Sequence, residues 1–209
     1  DQDGPGTALR PPISSDQRHW TRSEMLRDKR FLMIAPQVMI MSSVFTGIIF
    51  HQTYIIGTIK EWDFLWWSFC FAAFAVCQVS RSFITGWLID QTSARVVTPY
   101  VLAPFAVSLL LLGVVEAEFW AIAILATMGL SAGATNPSFS SLWAELYGTQ
   151  HLGAIRSVGA VLMVFASALG PLAVGVALDS AIDIEIITLI SVIMTAGTSV
   201  LCWFGLKSA

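Results

Sequence analysis

The chain has 209 residues, 56% of them hydrophobic and 12% charged, with a mean hydropathy of +0.72. That composition excludes an ordinary soluble domain and a disordered one. The formal net charge of −3 says little about partners, because the charges are segregated along the chain and their sum hides it, and no nucleic-acid partner is expected.

Residues 1–19 are rich in Pro, Gly, Ser and Asp, and the chain opens at Asp1 without an initiator Met or a signal-peptide pattern. They read as a polar interdomain linker, and the chain as a fragment. Thr21-Arg22-Ser23-Glu24 fits a capping box, followed by an amphipathic stretch from Trp20 to Arg30 suited to lying along the cytoplasmic interface. A solvated basic linker is the other reading of that stretch.

Six apolar blocks follow, at about 31–56, 64–89, 96–115, 119–143, 152–178 and 184–206. Each meets or exceeds the roughly 20 residues a helix needs to cross about 30 Å of hydrocarbon. The predicted fold class is therefore an all-α membrane protein, with a bundle of six transmembrane helices over 31–209. The intervening loops alternate in charge. One side receives Arg10, Arg18, Arg22, Arg27, Lys29, Arg30, Arg95, Arg156 and Lys207, whereas the other holds Lys60 among Glu61, Asp63, Glu116, Glu118, Asp179, Asp183 and Glu185. The positive-inside rule then places both termini in the cytoplasm.

Within the blocks, polar residues are expensive and mark candidate sites. The first carries a row of Ser42, Thr46, Phe50 and Thr53, with His51 and Gln52 near its outer end. His51 is a candidate for binding a solute or carrying a proton, or is a histidine merely hydrogen-bonded at the interface. In the second block Arg81 is the outlier, too far from the helix end to snorkel fully. It reads either as the cationic anchor for an anionic substrate in a water-filled cavity or as a structural pair for Glu145 or Asp90. Gln78, one turn earlier, could share that ligand or satisfy the arginine. Asp90 sits at a helix carboxyl end, where the macrodipole disfavours an anion, and so calls for a partner such as Arg95 or another helix's amino terminus.

The fourth block has a hydroxyl stripe, Thr127, Ser131, Thr135 and Ser138, which lines an aqueous path or serves helix packing, and Asn136-Pro137 offers a bend. Gly129-Leu130-Ser131-Ala132-Gly133 matches the G-x-S-x-G of serine hydrolases, and a serine in the fourth of six spans suggests an intramembrane protease. The sixth block, however, supplies no histidine base, and the same residues are a G-x-x-x-G packing motif. Ala166-x-x-x-Gly170 in the fifth block is read likewise as packing. Cys70, Cys77 and Cys202 have no ligand-like neighbours, so neither disulfide, metal nor cofactor is expected. No Asp or Glu occupies the centre of a block. Finally, Gly86-x-x-x-Asp90 and Gly175-x-x-x-Asp179 recur at equivalent places in two triplets of spans on opposite membrane sides, a trace of a 3+3 inverted repeat.

Gly86-x-Leu88-x-Asp90 followed by Arg95 resembles the cytoplasmic loop signature of the major facilitator superfamily, with Ser93 and Ala94 replacing a usual Gly and a basic residue. Trp20-Thr21-Arg22-x-Glu24-x-Leu26, Phe50-His51-Gln52 and the run from Leu142 to Arg156 are similar to the carboxyl-terminal six-helix half of bacterial members near the monocarboxylate and oxalate/formate group. The resemblance implies a non-enzymatic secondary transporter of the bacterial inner membrane, working with a missing amino-terminal half and the lipid bilayer, and moving a small solute. It implies substrate contacts at Arg81, Gln78, His51, Thr127, Ser131, Thr135 and Asn136, and a cytoplasmic latch at Gly86, Asp90 and Arg95. A self-sufficient six-helix channel, or a half-transporter that dimerises, is the rival.

Overall fold

The computed structural model describes residues 20–207; the linker expected over 1–19 lies outside the described residues. Six helical segments are long and apolar enough to cross a membrane: Lys29–Phe50, Phe64–Gln91, Ala94–Val114, Glu118–Tyr147, Leu152–Asp179 and Ile184–Lys207. They coincide with the apolar blocks, and the differences are local.

Four helix starts among the described residues follow from side-chain caps, the one at Ser93 opening the third span. The predicted capping box forms, with Glu24 accepting from the Thr21 N–H at 2.8 Å and Thr21 Oγ1 accepting from the Glu24 N–H at 3.4 Å, opening helix α1 (Arg22–Leu26). Asp28 caps helix α2 (Lys29–Phe50), and Arg30 Nε lies 2.8 Å from its carboxylate. With Arg27 closing α1 and Asp28 opening α2, the stretch from Trp20 to Arg30 holds the junction of two helices. The Trp20 N–H donates to the Tyr147 carbonyl at 3.0 Å and Met25 is fully buried, so this stretch is docked on the end of the fourth span. Beyond His51 the first span continues as a short helix, α3 (Gln52–Tyr54), and a π turn (Ile55–Ile59). Asp63 caps α4 (Phe64–Gln91) through the Leu65 N–H at 2.8 Å.

The third span departs most from expectation. It is composite: helix α5 (Ala94–Val97), a 3₁₀ turn (Thr98–Tyr100) and helix α6 (Ala103–Val114). Pro99 and Pro104 each lack an amide proton, so the ladder cannot run through them unbroken. Helices α7 (Ala121–Tyr147), α8 (Leu152–Asp179) and α9 (Ile184–Lys207) complete the bundle, with Pro137 and Pro171 accommodated inside α7 and α8.

Packing follows a symmetric scheme. The dominant pairs are α4 with α7 and α2 with α8; α2 also packs on α9, and α6 packs on both α7 and α9. Exchanging the first triplet of spans for the second, in order, maps this set of pairs onto itself, as an inverted repeat requires. Glycines make the close pairs. A Cβ on Gly129 or Gly133 would strike the backbone carbonyls of Phe74 or Gln78 on α4, and one on Gly170 would strike that of Ser43 on α2. Small residues let backbones approach where lipid offers no hydrophobic drive for association. Outside these contacts, α4 and α8 present apolar faces such as Phe69, Val79 and Phe83, and Val164, Phe165 and Leu172.

Candidate functional site

The polar residues of α2 and α7 meet across a groove shared with α8. Two adjoining depressions of about 180 and 190 Å³ have Val38, Thr135, Asn136 and Met163 in common. Ser42 and Thr46 from α2 line the wider end with Ala132. Ser140 and Trp143 of α7, with Arg156 and Gly159 of α8, line the other. The predicted rows on the first and fourth spans thus converge in part: Ser42, Thr46, Thr135 and Asn136 share one concavity. Asn136 is exposed there, and Thr135 and Ser42 turn their hydroxyls to carbonyls of Ser131 and Met163 at 2.8 Å each.

Arg156 is the cation of this groove, and sequence reasoning had counted it only as loop charge. It is exposed on the first turns of α8, and one guanidinium nitrogen donates to the Ser140 carbonyl at 3.3 Å. Its place early in an apolar block, four residues into the helix, was the available signal.

Ser131 does not line the groove and faces the third span, in keeping with the helix-packing alternative for the stripe. It is fully buried, its Oγ donating to the Val101 carbonyl at 2.8 Å and accepting from the Phe105 N–H at 2.9 Å. In an unbroken helix those two backbone groups would bond each other; here the hydroxyl is inserted between them. The hydroxyl is thereby committed to backbone. Gln37, fully buried on α2, does the matching work from the other side, its Nε2 donating to the Thr98 carbonyl at 3.1 Å and the Pro99 carbonyl at 3.4 Å. Thr127 bonds to its own helix, to the carbonyls of Ala123 at 2.7 Å and Ile124 at 3.0 Å.

Of the latch candidates, Arg95 meets Glu145. Its carboxylate accepts from Ser93 Oγ and from the Ala94 N–H, each at 2.8 Å, so an anion sits on the first turn of α5, where the dipole favours it. Arg95 donates to the Glu145 carbonyl at 3.4 Å. The turn between the second and third spans is thereby pinned to the end of α7. Asp90 is exposed on the last turn of α4, and Gly86 faces open space one turn earlier.

Arg81 lies on α4 outside the groove. Among the described residues it forms no hydrogen bond or ion pair, and its Nε is buried. Among the described residues the pairing with Glu145 or Asp90 that the sequence allowed is not made, and the Glu145 carboxylate instead accepts from Ser93 and Ala94. Gln78, half-buried on the same helix, has its backbone against Gly133. His51 ends α2: its Nδ1 lies 2.9 Å from the Gly47 carbonyl, and so carries the proton, while Nε2 faces Gly175 of α8. It does not reach the groove.

A sequence profile described as the Major Facilitator Superfamily matches residues 2–171. No curated protein and no solved structure matches the chain.

Proposed function

The chain belongs to the major facilitator superfamily of membrane transporters, and from that membership we propose that it forms the carboxyl-terminal six-helix half of a secondary transporter carrying a small organic anion by alternating access. Two such bundles rock about a site near the midplane, and the solute shifts their populations through its different affinity for the two states. In this reading the groove between α2, α7 and α8 contributes Ser42, Thr46, Thr135, Asn136 and Arg156, while Gln78 and Arg81 approach from α4. His51 Nε2 is the nitrogen open to a solute or a proton near the other membrane face. Gly86, Asp90 and Arg95, with Glu145, form the latch. The basic loops and both termini face the cytoplasm of a cell whose plasma membrane holds the protein.

The observation that carries the anionic reading is Arg81, a guanidinium within a membrane span that finds no counter-charge among the described residues. Such a cation is costly to hold unpaired, so its partner comes from outside the bundle. The test is uptake by the full-length protein in proteoliposomes across carboxylates and neutral solutes, with Arg81→Gln and Arg156→Gln beside wild type. Loss of one charge-assisted hydrogen bond should lower uptake of the best anion about tenfold or more. Unchanged anion uptake in Arg81→Gln removes the anchor role, and preferred uptake of neutral solutes by wild type overturns the anionic substrate.

A further inference from the structure

The bundle's outer face carries a second, unrelated concavity. A groove of about 420 Å³ runs between the broken third span and α9, walled by Leu102, Ala103, Ala106, Ala196, Val200 and Trp203. It exists because the 3₁₀ turn between α5 and α6 displaces the third span locally and because alanines occupy both walls. The Pro99 carbonyl, and the Thr98 carbonyl that also accepts from the Val101 N–H at 3.2 Å, bond to Gln37 inside the bundle, and the trough presents mainly apolar surface.

At its basic end the groove opens into a depression of about 330 Å³ whose lining includes Arg95, Val96, Leu206 and Lys207; Pro99, Tyr100 and Trp203 belong to both concavities. Lys207 Nζ stands 4.7 Å over the Trp203 ring. Arg95 is half-buried and spends one nitrogen on Glu145. Among the described residues no carboxylate lines either concavity. The combination is an apolar trough that lies within the membrane-spanning segments and ends, where those segments end, in two cations flanked by Trp and Tyr.

We infer that this groove seats an anionic phospholipid of the leaflet on the basic side, an acyl chain lying between α6 and α9 and the phosphate between Arg95 and Lys207. Basic pockets between transmembrane helices at a membrane surface recognise anionic headgroups, and long cationic side chains reach the headgroup level readily. The described lining offers two cations for a phosphate and no carboxylate for the ammonium of a zwitterionic lipid. Because Arg95 also holds Glu145, the lipid adds a second anchor to the turn that joins the second and third spans.

Native mass spectrometry of the full chain released from nanodiscs of equal phosphatidylglycerol and phosphatidylcholine tests the assignment. Wild type is expected to retain phosphatidylglycerol well above its share of the bilayer. Retention should fall roughly fivefold for each cation removed in Arg95→Gln and Lys207→Gln. Ala196→Trp, which fills the trough and keeps both charges, should displace the lipid as well, whereas Lys60→Gln on the opposite side should not. Retention of both lipids by wild type in proportion to the bilayer overturns the proposal without any variant. So does undiminished phosphatidylglycerol in both the charge and the groove variants, or a lipid-free dimer.

Discussion

Replacing Ser131 by alanine removes a single oxygen on which two backbone groups depend. The Ser131 hydroxyl spans the Val101 carbonyl at 2.8 Å and the Phe105 N–H at 2.9 Å, and all three residues are at most 1% exposed, so water cannot substitute. Side-chain hydrogen bonds between membrane helices contribute about 0.6 kcal/mol on average and up to about 1.7, which places the loss of two at about 1–3 kcal/mol. The lower figure applies if Phe105 closes directly onto Val101 once the hydroxyl is gone, and the upper if Pro104 holds the two apart. Thr127→Ala is the internal comparison, since its hydroxyl bonds only carbonyls of its own helix and its loss should cost no more than about 0.5 kcal/mol. The assay is reversible unfolding in mixed micelles by titration with a denaturing detergent, followed by tryptophan fluorescence. If Ser131→Ala is no more destabilising than Thr127→Ala, the hydroxyl does not staple the broken span.

Gly133→Ala should cost about 3 kcal/mol in the same assay, because its Cβ would meet the Gln78 backbone carbonyl, which cannot swing away as a side chain could. Gly197→Ala, with open space around it, should be neutral or stabilising by up to about 1 kcal/mol; equal effects at the two sites would refute the close packing of α4 on α7. Glu145→Gln replaces one acceptor oxygen by a donor facing Ser93 or Ala94 and removes the charge at the α5 amino end, so unfolding should become easier by about 1–2 kcal/mol. A Glu145→Gln protein as stable as wild type would sink the capping role.

The span pattern was legible because a bilayer imposes a length and a charge asymmetry that apolar blocks display directly. The break in the third span was also written in the sequence, as Pro99 and Pro104 inside one block, but it drew attention only once its orphaned backbone groups were seen to need Gln37 and Ser131. Those two residues show why intramembrane polarity was hard to interpret. A buried hydroxyl that completes a neighbour's backbone has the same composition and period as one that lines a path. Successive four-residue steps also drift by about 40° around a helix, enough to carry Ser131 to the third span and Thr135 to the groove. Arg156 was missed for the opposite reason, since a cation near a helix end looks like loop charge until α7 and α8 are seen to frame it. Arg81 kept two readings open in the sequence, and the Glu145 cap removed one of the two partners considered for it.

The exchange symmetry of the packing has a consequence for how the bundle comes together in the membrane. Apart from the third and fourth spans, helices adjacent in sequence make few contacts with one another, while α2 rests on α8 and α4 on α7. The bond from Ser42 to Met163 joins residues 121 positions apart. A chain inserted span by span therefore releases the first three helices of this bundle before their principal partners exist, with the Val101 and Phe105 backbone groups still lacking Ser131 and the α2 and α4 backbones still lacking the glycines that meet them. Such long-range closure is slow relative to local pairing. The fourth and fifth spans act as keystones, each fixing a helix of this bundle that was inserted before it.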